Sequence, residues 1–365
     1  MKVLSACVAL FVLCVSSALG ADRNRVGINV HGFEGPNGPA VASRAAESGV
    51  GWVRVDFNWY SMEPRDANGR FDWAATDQTV NNAYSNGLNI LATLAYTPPW
   101  ANGTEPCPND GYSIPLDSTV HCPPDASHLP DWEDFVREAV RRYGDRIKYF
   151  SVWNEPNPGT GFFRGTPERY DQVYAAAYRG AKSAGYTDIK VVGFESTYGG
   201  SPYDAWLLAR LNAAANAGAA VDVVAVHFYG TPYDAETNLR RLASLIGTGR
   251  PIWLTETGDP VDYPSFLNQE HDLAGKVGLI NRGIPGLDKV FYYDINSDER
   301  GIVSLWYPFS RKPAFNALKY FMQGSYSDFT GMNKCTGVNG MQCSNACYEY
   351  EYSCSMEEST CIICP

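Results

Sequence analysis

Short apolar runs of β type recur along the chain at 26–30, 52–57, 90–95, 147–152, 189–194, 221–228, 252–254 and 290–293. They are rich in Val, Ile and Phe, residues that favour extended backbone. Between them lie stretches with apolar positions every three or four residues, at 132–143, 170–184, 205–215 and 236–246, with a last one near 314–322. That spacing predicts helices that each bury one face. Strands alternating with helices predict a parallel sheet, and eight such units over roughly 300 residues predict an α/β fold of the (β/α)8 TIM barrel type. A doubly wound open sheet is the competing architecture, and it usually carries a Gly-rich phosphate turn after its first strand. Here that position reads His31-Gly32-Phe33-Glu34-Gly35, a poor match.

The alternating pattern fails at both ends. Residues 1–20 place Lys2 ahead of an apolar run at 8–15 and finish Ala18-Leu19-Gly20. This reads as a secretory signal peptide cut before Ala21, and the run is shorter than the roughly 20 apolar residues that a membrane anchor needs. After Gly324 helix formers give way to Ser, Asn, Tyr and six cysteines: Cys335, Cys343, Cys347, Cys354, Cys361 and Cys364. The barrel domain is therefore expected at 21–324 and a short disulfide-rich tail at 325–365. So short a tail needs staples to hold a fold, and its pairing is open.

Of ten cysteines, Cys7 and Cys14 leave with the signal, and the even remainder suits disulfides in an extracellular setting. Cys107 and Cys122 share the Pro-rich loop after the third run and most simply pair with each other. Asn102-Gly103-Thr104 in the same loop is a glycosylation sequon, which puts Asn102 at the surface if it is used. Losing Lys2 takes the formal charge from −11 to −12. Nucleic acid is thereby disfavoured as a partner, and a neutral substrate fits better. No later segment is long and apolar enough for a membrane span, and a secreted, monomeric chain is the expectation. No cofactor and no catalytic metal are expected, because the Cys and His spacings match no zinc pattern.

In a barrel of this type, catalytic groups come from the C-terminal ends of strands. The fourth run ends Val152-Trp153-Asn154-Glu155-Pro156-Asn157, and the seventh ends Trp253-Leu254-Thr255-Glu256-Thr257-Gly258. Each delivers one glutamate to the mouth. Glycosidic cleavage needs such a pair, one carboxyl to protonate the leaving oxygen and one carboxylate to attack the anomeric carbon. Asn154-Glu155-Pro156 and Thr255-Glu256-Thr257-Gly258 resemble the paired signatures of clan A glycoside hydrolases. Trp59-Tyr60-Ser61-Met62-Glu63-Pro64, followed by Gly69, Phe71, Asp72 and Trp73, is similar to the stretch after the second strand in families 39, 42 and 5. Within the clan, the chain most resembles family 39 and the cellulase-type enzymes.

The resemblance implies roles. Glu155 is the acid/base and Glu256 the nucleophile of a retaining hydrolase acting on β-linked poly- or oligosaccharide, and Asn154 donates to the sugar 2-hydroxyl. Arg54 matches the clan's arginine that holds the nucleophile ionised, and Tyr229 the phenol that bonds it, with His227 on the same wall. Many clan members stack the reacting sugar on a tryptophan after the eighth strand; this chain has Tyr292-Tyr293-Asp294 there. Other readings stand beside these. Arg54 could pair with Asp56, His227 could be a core histidine, and Tyr233 competes with Tyr229. Trp100, Trp153, Tyr96 and Trp306 are candidate sugar platforms or ordinary packing. Glu195 flanks the cleft without a motif and is at most substrate-binding, and Glu63 belongs to a structural turn. The rival from another class is a carbohydrate-binding protein that does not cut, but loss of either glutamate would be its sign, and both are present. A structural or adhesive role rests only on the tail with its Tyr348, Tyr350 and Tyr352.

Overall fold

A computed structural model describes residues 21–66, 69–103, 118–247, 249–258, 266–297, 300–304 and 308–324. Eight parallel strands form a closed barrel in chain order: β1 (Val26–Asn29), β2 (Trp52–Asn58), β3 (Asn89–Ala95), β4 (Tyr149–Val152), β5 (Lys190–Thr197), β6 (Val223–His227), β7 (Ile252–Thr257) and β8 (Leu287–Tyr292). Val26 pairs with Val290 and closes the ring, which rules out the open doubly wound sheet. Around it lie α1 (Gly38–Glu47), α2 (Trp59–Met62), α3 (Ala74–Ser85), α4 (Leu129–Tyr143), α5 (Pro167–Ser183), α6 (Ser201–Asn216), α7 (Pro232–Ile246), α8 (Phe266–Val277) and α9 (Pro313–Met322). Among the described residues, no helix is long and apolar enough to cross a membrane.

The helices follow from their sequences. In α4, Trp132, Phe135, Val136, Ala139, Val140 and Tyr143 are buried, a single stripe at helical spacing. Each such large apolar side chain contributes roughly 1.5–3 kcal/mol when taken from water. Two helices start on the same device: the Thr166 hydroxyl accepts from Arg169 N ahead of Pro167, and Thr231 accepts from Asp234 N ahead of Pro232. Gly180 lets α5 close on α4, since a Cβ there would lie 2.4 Å from Glu133 O.

The lumen has its own packing. Trp52, Leu91, Val192, Val223, Ala225, Trp253 and Phe291 form a cluster inside the barrel, separate from the larger core between strands and helices. Gly27 is required beside it, because a Cβ would stand 2.3 Å from the Phe291 ring.

Several boundaries differ from the sequence pattern. The eighth strand begins at Leu287, three residues earlier than the apolar run: Asp288 and Lys289 interrupt the run, while Leu287 and Lys289 pair with Ile252 and Trp253 and the register skips Asp288 between them. The seventh continues through Glu256 to Thr257, and the fourth begins at Tyr149. The helices α1, α3 and α8 were not singled out by periodicity; α3 buries Thr76 and Thr79 beside Val80 and Ala83, so half of its inner face is polar. Cys122 is disulfide-bonded; Cys107, Trp306, residues 1–20 and the six tail cysteines lie outside the described residues. Asn102 is half-buried, and its amide donates to Thr119 O at 2.9 Å.

Candidate active site

All eight strands point their C-terminal ends to one side, and the polar residues converge there. Arg54 is the hub. Lying on the inner face of β2 and 5 % exposed, it directs all five of its N–H donors at acceptors. Nε and Nη2 reach the two oxygens of Glu195 at 3.0 and 2.8 Å. Nη1 reaches Asn29 Oδ1 at 2.9 Å and Glu256 Oε1 at 2.8 Å. Nη2 also reaches Asn154 Oδ1 at 2.7 Å. No hydrogen bond joins Arg54 to Asp56, so the alternative pairing along the strand does not form.

Two sheet irregularities aim the acids inward. On β7, Trp253 faces the lumen and Leu254 the helices, so strict alternation would turn Glu256 outward. The register with β6 instead slips between Val226 and His227, putting one extra β7 residue opposite the pair. Glu256 thereby faces the lumen. On β5 the same happens between Gly193 and Ser196, and Glu195 points inward with left-handed φ of 44°. Glu155, after β4, also has positive φ, 45°, and its N–H donates to Glu195 O at 3.0 Å. Left-handed backbone at non-glycine residues is costly, and neighbouring structure must hold it.

Glu256 is buried, with Arg54 on Oε1 and the Tyr229 hydroxyl donating to Oε2 at 2.6 Å. Burial alone would raise its pKa. His227, the Arg54 guanidinium and the Tyr229 hydroxyl together outweigh that and hold it below the usual carboxylate range. Tyr229 keeps its proton, because burial and the Glu256 charge push its pKa far up. The Arg300 guanidinium lies 4.9 Å from the Tyr229 ring centre. Tyr233, the competing tyrosine, is 76 % exposed and has no bond to either glutamate.

His227 ends β6 and is fully buried. Its Nδ1 stands 2.9 Å from Glu155 Oε1 and 3.4 Å from Glu256 Oε2, so it belongs to the site and is not a detached core histidine. Burial pushes its pKa down, but the two carboxylates prevail and raise it. Glu155, His227 and Glu256 each offer an atom within 4.8 Å of the others, a group that could hold a metal ion. Both Glu256 oxygens already accept hydrogen bonds, however, and the Nδ1–Oε1 distance is itself that of a hydrogen bond. The atoms that face one another are thus engaged among themselves, while His227 Nε2, on the far side of the ring, is buried without a partner among the described residues.

Other candidates fall elsewhere. Glu195 is fully buried and bound by Arg54 and by the Thr93 hydroxyl at 3.1 Å. It holds the arginine and has no face left for a sugar, which corrects its assignment as a substrate contact. Trp153 is corrected too: it is fully buried, its indole N–H donates to Phe162 O at 2.7 Å, and its ring packs edge-on against Tyr96, Trp132 and Phe163. Trp100 donates to Glu63 O and packs against Trp59 and His128, which makes it part of the rim. Glu63 accepts from Trp59 Nε1 and Gly69 N. After β8, Tyr292 is buried in the core, and Tyr293 stands half-buried with its ring edge-on to His31 and Tyr229.

Sequence reasoning did not single out Asn29 or His31. Asn29 donates to Thr255 O at 3.0 Å while accepting from Arg54, so it ties β1 to β7 beneath the nucleophile position. The His31 Nε2 lies 3.2 Å from the buried Asp294 carboxylate and 2.8 Å from Tyr293 OH. A signal exists for both: Asn29 and His31, like Arg54 and Asp56, are polar residues two apart at the C-terminal end of an apolar strand, which places them on the lumen face.

A buried carboxylate pinned by arginine and phenol faces a half-buried one at the mouth of a (β/α)8 barrel. The fold is similar to that of clan A glycoside hydrolases. Residues 124–285 match the family model described as glycosyl hydrolase catalytic core. A β-xylosidase of Caldicellulosiruptor saccharolyticus is 34% identical over 104 residues, which is 27% of this chain and 20% of that enzyme. Among solved structures, a family 39 glycoside hydrolase from Bacteroides cellulosilyticus WH2 superposes with a TM-score of 0.66 at 20% identity, covering 82% of this chain and 64% of that one. A monomeric β-xylosidase from Caulobacter crescentus CB15 gives 0.64 at 20% identity, covering 82% and 68%. The chain thus spans only a fifth of the curated relative, and the structural likenesses carry the fold.

Proposed function

We propose that this chain is a secreted, monomeric, retaining glycoside hydrolase that cleaves β-linked xylose or glucose from a poly- or oligosaccharide, with Glu256 as nucleophile and Glu155 as acid/base. The observation that carries this is the spacing of the pair: carboxylate oxygens of Glu155 and Glu256 lie within 4.8 Å of each other. Retaining enzymes hold their carboxyl groups roughly 5–5.5 Å apart, whereas inverting ones leave about 6.5–9.5 Å for a water. The names of the relatives support the choice of sugar, and the leader-like residues 1–20 support secretion.

The division of labour follows from the partners. Glu256, held ionised by Arg54 and Tyr229, attacks the anomeric carbon as Glu155 gives its proton to the departing oxygen. A covalent glycosyl-enzyme forms, Glu155 then takes a proton from water, and that water releases the sugar with retained configuration. Asn154 spends its Oδ1 on Arg54 and turns its amide toward the Tyr96 hydroxyl, and its second N–H can meet a sugar hydroxyl. His227, between both carboxylates, can donate from Nδ1 to whichever is ionised.

Glu256→Ala and Glu155→Ala test the assignment on aryl β-glycosides. Each should lose several orders of magnitude in kcat/KM, as catalytic-residue knockouts do. Azide should rescue Glu155→Ala with a β-glycosyl azide as product, and Glu256→Ala with an α-glycosyl azide. Near-normal turnover by Glu256→Ala, or exchange of the two azide products, would refute the roles.

A further inference from the structure

Beside the catalytic pair, at the β1–β2 corner, is a cavity lined in part by His31, Asp56, Asn58, Ser61 and Thr76. Asp56 lies on the inner face of β2, one step of the pleat beyond Arg54, and is the exposed residue of a strand otherwise buried or half-buried. Among the described residues, nothing donates a hydrogen bond to its carboxylate. Asn58, two residues on, has a buried Oδ1 that likewise lacks a partner. The Glu34 carboxylate, on the same wall, is already engaged by the Thr79 hydroxyl at 3.0 Å. The Asn58 Oδ1 is out of reach of solvent, so the open carboxylate of Asp56 is the acceptor that faces the cavity.

The protein mass around the cleft pushes the Asp56 pKa up by partial desolvation, Arg54 and His31 pull it down, and the charges of Glu256 and Glu195 raise it again. A solvent-open carboxylate kept beside other carboxylates adds little to the fold, since exposed charges contribute only weakly to stability. It also belongs to no metal-holding group found among the described residues. The complement of the two Asp56 oxygens is a pair of donors. The cavity lies on the nucleophile side: His31 on its wall stands 2.8 Å from Tyr293 OH, and the Tyr293 ring packs edge-on against Tyr229, the donor to Glu256. The sugar that becomes attached to Glu256 is therefore the one that reaches it.

We propose that the two oxygens of Asp56 accept hydrogen bonds from two hydroxyls of the glycon sugar and select an uncharged glycon with those hydroxyls free. This rests on the hydrolase reading above. A uronic acid places its own carboxylate against Asp56 and is rejected by repulsion, a device that discriminates by clash as well as by fit.

Turnover and binding are tested separately with the full chain. For turnover, kcat/KM is measured on aryl β-xyloside and β-glucoside and on their monodeoxy analogues, for the wild type, Asp56→Asn and Asp56→Ala. Hydrogen bonds to a charged group predict that Asp56→Ala loses about 10- to 100-fold on the intact substrates. The wild type should lose a comparable factor on one or two deoxy analogues, and Asp56→Ala should lose nothing further on those same analogues, the non-additivity expected of direct contact. Asp56→Asn, which keeps one acceptor oxygen, should fall between. An equal loss on intact and all deoxy substrates overturns the proposal and leaves the hydrolase standing. For binding, xylose, glucose and glucuronate are titrated calorimetrically into Glu256→Gln with and without Asp56→Ala. A preference for the neutral sugars that disappears with Asp56→Ala supports the proposal even if no glycoside is cut, which would sink only the hydrolase reading. Absence of both turnover and sugar binding in the unaltered chain overturns the two together.

Discussion

The floor and the mouth of the barrel lumen are built by the same strands, yet their chemistry is opposite. On β2, Trp52 packs at the floor, Arg54 occupies the middle and Asp56 stands open at the mouth, each one step of the pleat from the next. At the floor, Trp52, Tyr149, Trp253 and Phe291 meet at ring distances between 4.6 and 6.4 Å. The one cation there, among the described residues, is Lys289, whose ammonium lies over Trp52 and Trp253 and donates to Asn24 O at 2.9 Å. At the mouth, Arg54 serves three side chains from β1, β5 and β7 and one that follows β4. The floor gains from excluding water. The mouth holds charges that do not all cancel, and that residue of unsatisfied chemistry is what a substrate meets.

The largest effect should come from removing the hub. Arg54→Ala leaves Glu195 and Glu256 buried without their cation, and loss of one partner of a buried pair costs about 3–5 kcal/mol. Activity should fall along with stability, because Glu256 loses a group that keeps it ionised. Denaturant unfolding and kcat/KM on the same preparation measure both. A variant that stays fully stable would mean that water replaces the guanidinium and that the mouth is far wetter than its burial implies.

Trp253→Ala strikes the floor instead. It removes a fully buried indole and the 2.8 Å bond from Nε1 to Asp288, at a cost of about 3–5 kcal/mol. Turnover per folded molecule should change little, since Glu256 is carried by the bulged end of the strand above. Loss of kcat without loss of stability would erase the distinction between floor and mouth.

That distinction also marks what the sequence could tell. Apolar runs locate strands, and strand ends locate the mouth, so Glu155 and Glu256 stand out from residue types and spacing. The inward aim of Glu256 was not legible: alternation predicts the other face, and a bulge against β6 corrects it. Nor was the true partner of Arg54, because Glu195 lies 141 residues away in sequence while Asp56 is adjacent and of the same charge. Local pattern reports which face a residue takes; which acid reaches which base is decided by ring closure and register. Trp153 shows the reverse error. A tryptophan next to the catalytic motif looks like a sugar platform, but its positive φ of 69° turns it into the core.

The finest test within the mouth concerns Tyr229, whose hydroxyl donates to Glu256 Oε2 and to no carboxylate besides. Burial raises the pKa of Glu256, and His227, Arg54 and Tyr229 lower it by more. Tyr229→Phe removes one of the lowering contributions and leaves the ring in place. The acid limb of kcat/KM, which reports the free enzyme, should therefore move upward, by about one pH unit for a hydrogen bond worth roughly 1.4 kcal/mol. The alkaline limb should stay, because Tyr229 itself remains protonated throughout that range. Stability must follow the same sign. A carboxylate whose folded pKa is depressed contributes stability that is present above its unfolded value and is lost as pH falls through the folded one. The Phe variant should thus be less stable than the parent near neutral pH, with a difference that shrinks on acidification. An acid limb that stays in place would mean that Arg54 and His227 alone hold the nucleophile ionised and that the phenol serves only to fix its orientation.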